Sequence, residues 1–89
     1  MAVVVQMESK GLTTQQYDQA NAMTGGKLPA GCLSHAAYVV PGGMHFVDVW
    51  ESQAAFETFA HETLSKMAAA LGMNPPEVQV MPVHDFQHA

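Results

Sequence analysis

Met44-His-Phe-Val-Asp-Val-Trp50 runs directly into Glu51-Ser52-Gln-Ala-Ala-Phe56-Glu-Thr-Phe59, and the reading of this junction decides the fold. The first seven residues alternate Phe46 and Trp50 with Val47 and Val49. That is the period of two of a β-strand, with apolar bulk on both faces. Ser52 is a favoured N-cap, because its hydroxyl can accept a hydrogen bond from a free N–H of the first helical turn. Beyond it, Phe56, Phe59, Ala60, Thr63, Leu64, Met67 and Leu71 fall on one side of a helix predicted over residues 53–71. Gly72 and Asn74-Pro75-Pro76 stop that helix.

Working outward, Cys32 to Val40 reads as the preceding strand, joined through Pro41-Gly42-Gly43 with Gly42-Gly43 as the expected two-residue turn. The valine-rich run from Ala2 to Glu8 is a further strand. Thr13-Thr-Gln-Gln16 has the form of a capping box, with Leu12 and Tyr17 at the positions of a hydrophobic staple. A helix of about residues 14–24 follows, with a narrow apolar stripe. Glu77 to Phe86 is the expected last strand, and Pro82 marks it as an edge or a bulge. The order is β-α-β-β-α-β, an α+β chain of the ferredoxin-like, split βαβ type with a four-stranded antiparallel sheet, in one domain over residues 1–89. Two helices cover one face of such a sheet. The other face is also apolar, so the expected lid is a second copy of the sheet, with a cavity enclosed between the two.

Composition agrees with a covered face. Hydrophobic residues make up 48% of the chain and charged residues only 12%, where an average domain has about 25% charged. The formal net charge is −5, with three lysines and no arginine. Nucleic-acid binding is excluded on that balance, since phosphate neutralisation dominates such affinity. Without arginine there is no bidentate grip for strongly anionic ligands. The single cysteine, Cys32, forms no intrachain disulfide and reads as a small packing residue. Residues 1–6 are too short and lack the basic start of a signal peptide, and no apolar run reaches the ~20 residues of a membrane span. A cytoplasmic protein is expected.

Asp48 is the residue that does not fit a plain core. It lies mid-strand between two valines, in phase with Phe46 and Trp50. A carboxylate buried under helices without a partner is costly, so the expected place for this face is the dimer side, open to water or ligand. With Gly42-Gly43 as the turn, His35 opposes Trp50 and lies diagonal to Asp48, within side-chain reach. A carboxylate beside an imidazole sets its tautomer and raises its pKa, the usual preparation of a general acid/base. The same pair could equally be a structural hydrogen bond within an interface. His35 and Asp48 are thus the catalytic candidates, and Phe46, Trp50 and His84 the candidate substrate contacts. His45 reads as a rim residue and His61 as a solvated partner of Glu57. No histidine or acid spacing is specific for a metal, and no cofactor is implied.

At Val49-Trp50-Glu51-Ser52, followed by Ala54-Ala55-Phe56 and Phe59, the chain resembles the dimeric α+β barrel superfamily, most closely its antibiotic-biosynthesis-monooxygenase-like group. The resemblance implies a homodimer with a hydrophobic cavity in each subunit. It also implies an activity among cofactor-independent oxygenases, haem-degrading enzymes, polyketide cyclases and isomerases. Haem degradation there uses an asparagine on the first strand and a histidine late in the second helix; this chain has neither. The expected function is that of a small enzyme of the monooxygenase, cyclase or isomerase type, acting on an apolar aromatic or polyketide-like compound. A non-catalytic small-molecule binding module and a structural dimer domain are the alternatives.

Overall fold

A computed structural model describes residues 1–89 as a four-stranded antiparallel sheet with its helices on one side. The elements are β1 (Val3–Lys10), α1 (Thr14–Met23), β2 (Cys32–Val40), β3 (Gly43–Trp50), α2 (Gln53–Phe59), a π-helical turn (Ala60–Leu64), α3 (Ser65–Leu71) and β4 (Glu77–Pro82). The sheet order is β2-β3-β1-β4, which makes this the ferredoxin-like α+β fold expected from the sequence. No helix is long and apolar enough to cross a membrane.

The caps act as the sequence indicates. Thr13 accepts from the Gln16 N–H while the Gln16 side chain accepts from the Thr13 N–H, and the Ser52 hydroxyl accepts from the Ala55 N–H. Leu12 is buried and Tyr17 packs against the same core. Residues 53–71 form one continuous helical run, but with an unforeseen π turn in the middle. The Ser65 N–H donates to Ala60 O, five residues back, and the Ser65 hydroxyl takes the bypassed His61 carbonyl at 2.6 Å. The wider turn brings Phe59, Leu64 and Met67 to the same cavity wall.

Register differs from expectation by two residues. The β2–β3 turn is Pro41-Gly42, with Val40 paired to Gly43, and Gly42 is left-handed at φ +86°. Proline followed by a left-handed glycine is the type II pattern. A shift of two preserves every face. It therefore brings His35 directly opposite Asp48 rather than diagonal to it. A bulge between Cys32 and Ser34 then turns Cys32 inward against Trp50. β4 stops at Pro82, so His84 and Asp85 lie in exposed coil rather than in the strand. As expected of a proline-bearing strand, β4 is an edge.

The larger correction concerns faces. Phe46, Asp48 and Trp50 lie beneath the helices, not on the uncovered side. Trp50 is fully buried, edge-on to Phe56 at 5.6 Å and beside Phe59 at 5.3 Å. A helix starting at Gln53 folds back over the end of its own strand, and its phenylalanines need the bulkier face of that strand. The flatter residues Val4, Ala36, Val47, Val49 and Met81, with Tyr38, are left on the helix-free face.

Gly43 shows how tightly the end of β1 is held against the start of β3. A Cβ there would stand 2.2 Å from the Ser9 carbonyl oxygen, and the Gly11 N–H donates to Gly42 O at 2.7 Å beside it. Gly43→Ala is expected to destabilise the protein by about 2 kcal/mol or more, which is a melting temperature about 10 °C lower. Val39→Ala, at a position 66% exposed, should change stability by less than about 0.5 kcal/mol. Equal melting temperatures for the two variants would contradict this packing.

Candidate active site

The pairing of β2 with β3 places His35 across from Asp48, and β1 supplies Val5 on the other side of Asp48. The His35 Nδ1–H donates to Asp48 Oδ1 at 2.5 Å. The second carboxylate oxygen, Oδ2, accepts from the Trp50 indole N–H at 3.2 Å. Asp48 is only 3% exposed, and these two donors are what make its burial tolerable. A third link was not foreseen: the Tyr17 hydroxyl lies 2.8 Å from His35 Nε2. With the carboxylate holding the proton on Nδ1, Nε2 of the neutral ring is an acceptor and Tyr17 donates to it. No buried side-chain polar atom is left without a partner.

The rings are held as well as the protons. Tyr17, His35 and Phe46 form a near-parallel group with centroid separations of 5.6 to 6.2 Å and interplanar angles of 9° to 27°. Phe46 thus supports both members of the outer hydrogen bond. Tyr17 owes its position to the Thr13 cap, which sets where the first turn of α1 begins.

Charge follows geometry. The hydrogen bond that His35 donates to Asp48, and with it the carboxylate's negative charge, raises the His35 pKa above the usual value, against an opposing effect of burial. Burial first, then the Asp48 and Asp18 carboxylates, push the Tyr17 hydroxyl up. Burial first, then Asp48, push the Cys32 thiol up to about 11, against a smaller opposing effect of the Ser34 backbone. Cys32 is therefore a thiol, the packing residue that was expected.

This chain of groups faces a cavity of about 270 Å³ between the sheet and the helices of a single subunit. Its walls include Leu12, Phe46, Trp50, Phe59, Leu64 and Met67, with Asn21 and Lys27 among the polar groups that line it. Of the sequence candidates, His35, Asp48, Phe46 and Trp50 come together here. His84 does not: it is exposed and lies outside the cavity. His45 stacks edge-on with Tyr38 on the helix-free face, and His61 is exposed on the π turn. Glu57 takes Gln53 rather than His61 as its side-chain partner. Three or more metal-ligating side chains are nowhere grouped. The missed residue, Tyr17, stood in the staple of a helix that looked only lightly packed; its contact with His35 spans 18 residues and leaves no local pattern.

No family model matches the sequence, and no curated protein matches it. Solved structures do match in fold. SnoaB, a cofactor-independent oxygenase from Streptomyces nogalater, superposes with a TM-score of 0.65 at 15% identity, over 96% of this chain and 94% of that one. Rv0793 from Mycobacterium tuberculosis gives 0.63 at 20% identity over 98% and 97%. An antibiotic-biosynthesis-monooxygenase-like protein of Chloroflexus aurantiacus gives 0.65 at 18% identity over 98% of each chain. The fold is thus shared with antibiotic-biosynthesis-monooxygenase-like proteins. At these identities the likeness is one of backbone, and side-chain chemistry rests on this chain's own residues.

The His35–Asp48 pair predicts a pH dependence of stability. Because the folded His35 pKa is raised, the stabilisation is full below the unfolded value of about 6.5 and is lost as pH rises through the folded value. Melting temperature is expected to fall as pH rises above about 6.5 in the wild type, and that slope should flatten in Asp48→Asn. A profile identical in the two proteins would rule out the linkage.

Proposed function

We propose that this chain is a small cofactor-independent enzyme of the monooxygenase, cyclase or isomerase type, acting on an apolar aromatic or polyketide-like compound in the cavity between helices and sheet. The hydrogen-bonded His35–Asp48 pair on the wall of an apolar cavity carries this reading. The fold shared with a cofactor-independent oxygenase supports it.

In this reading His35 is the general acid/base and Asp48 its orienter, while Phe46 and Trp50 form the aromatic wall. The step common to all three reaction types is removal of an acidic proton from substrate. The substrate O–H or C–H bond breaks, the proton goes to the imidazole and the electron pair stays behind as a phenolate or enolate. Returning the proton to another atom gives isomerisation, and attack of the anion on an internal carbonyl gives cyclisation. Dioxygen as co-substrate gives oxygenation of a substrate CH2 to C=O, one oxygen atom entering the product and the other leaving as water with the two hydrogens and the electrons that the substrate carbon gives up. Asp48 keeps the imidazolium that forms in the step paired with a carboxylate.

A homodimer is part of the proposal. The helix-free face carries Val4, Val47, Val49 and Met81 beside Gln6 and Gln79, a surface that a second sheet would cover. Sedimentation should show a dimer, and Val47→Asp should yield a monomer; a monomeric wild type at micromolar concentration would overturn this part.

The catalytic assignment is tested with a panel of phenols and enolisable aromatic ketones under air, products being followed by mass spectrometry. His35→Gln and Asp48→Asn are each expected to lower turnover by about 10²–10⁴-fold with the fold unchanged. Full activity in both variants would defeat the assignment. One observation favours a second reading, a binding module without turnover: every buried polar group of the site is already satisfied within the chain. Ligand recovered unaltered after incubation with excess protein would select that reading.

A further inference from the structure

Both nitrogens of His35 are occupied, Nδ1 by Asp48 and Nε2 by the Tyr17 hydroxyl. A ligand in the cavity therefore cannot reach the imidazole directly while Tyr17 stays in place. It can reach Tyr17, whose oxygen donates one hydrogen bond to His35 and keeps lone-pair capacity to accept another. We propose that Tyr17 is the group that meets the substrate, that it passes the proton of a substrate hydroxyl to His35, and that the substrate is a phenol or enol of one or two rings. This rests on the proton-transfer reading above and narrows it.

Three observations converge on the assignment. Tyr17 lines the cavity and is held there by its stacking on Phe46 and by its hydrogen bond to His35. Leu12, Ala20 and Phe46 line the cavity with it, and among the polar groups there Gln16, Asn21, Thr24, Lys10 and Lys27 have no hydrogen bond to the Tyr17 hydroxyl, which His35 takes. The volume, about 270 Å³, exceeds the roughly 150 Å³ that accommodates benzene in an apolar cavity and falls just under the roughly 300 Å³ where sites for drug-sized ligands begin. One ring or two fused rings suit that space.

The step balances without a co-reactant. The substrate O–H bond breaks as its proton forms a bond to the Tyr17 oxygen, while the original Tyr17 proton moves to His35 Nε2. The electron pair remains on the substrate oxygen, now a phenolate or enolate accepting from a neutral Tyr17, and the imidazolium is paired with Asp48. Burial and the Asp48 and Asp18 carboxylates disfavour a free tyrosinate, so Tyr17 is protonated before and after the step and serves as a conduit. Cys32, the other titratable group near Asp48, remains a thiol.

The probe is 4-nitrophenol, a one-ring phenol whose ionised form absorbs in the visible, titrated with pH in the presence of saturating protein. The bound probe is expected to ionise with a constant at least tenfold larger than in free solution, about 1.4 kcal/mol. In Tyr17→Phe, which keeps the ring and its stacking, binding should persist while the ionisation constant returns to the free value or below. 4-Nitroanisole, with the same shape and no proton, should bind Tyr17→Phe as well as it binds wild type. Failure of 4-nitrophenol to bind, an unshifted constant in wild type, or an equal shift in Tyr17→Phe would each overturn the inference. Turnover lost in His35→Gln but intact in Tyr17→Phe would defeat it while leaving the enzymatic reading in place. An ionised, Tyr17-dependent bound probe with no turnover of any compound would do the reverse.

Discussion

The structure depends on one buried carboxylate. Asp48 sits in the middle of the central strand β3, beneath the helices and between aromatic neighbours, where an uncompensated charge would cost several kcal/mol. Its two oxygens are taken by donors from different places, His35 on the adjacent strand and Trp50 two residues along its own. Satisfying Asp48 therefore ties the β2–β3 register to the orientation of the largest side chain in the core. Moving β2 by one residue would turn His35 to the far face and leave the carboxylate with the indole alone.

From that centre the arrangement extends outward through rings. His35 reaches Tyr17, Tyr17 lies against Phe46, and Trp50 lies against Phe56 and Phe59. The π turn is the helical counterpart of this layout: by taking five residues where four is usual, it lets Leu64 follow Phe59 on the wall of the cavity. The freed carbonyl of His61 is not left open, because Ser65 donates its hydroxyl to it. Both irregularities, the turn and the bulge at Cys32, thus serve the space between helices and sheet.

The two faces of the sheet divide the work by side-chain shape. Aromatics with height fill the gap beneath helices, while Val4, Ala36, Val47 and Val49 lie on the flatter helix-free face with Gln6 and His45. The polar chemistry falls on the first face because only there does a single subunit provide walls on several sides. A carboxylate on the flat face would have met solvent or a partner chain. Beneath the helices it meets an imidazole and an indole, and its charge raises the proton affinity of both His35 and Tyr17.

How much of this was legible beforehand varied with the range of the interaction. Capping boxes, stop signals and alternation act over a few residues, so the order of elements, the edge position of β4 and the shared face of His35, Asp48, Phe46 and Trp50 followed from the amino-acid sequence by itself. Which side of the sheet that face became was not local, since both sides of β3 are apolar and only the packing of Phe56 and Phe59 distinguishes them. Tyr17 belonged to the site through a contact across 18 residues, and His84 left it because β4 ended at Pro82. Periodicity states which residues travel together. What they meet is decided by tertiary structure, because a contact between distant segments forms only when the whole sheet and its helices close on one another.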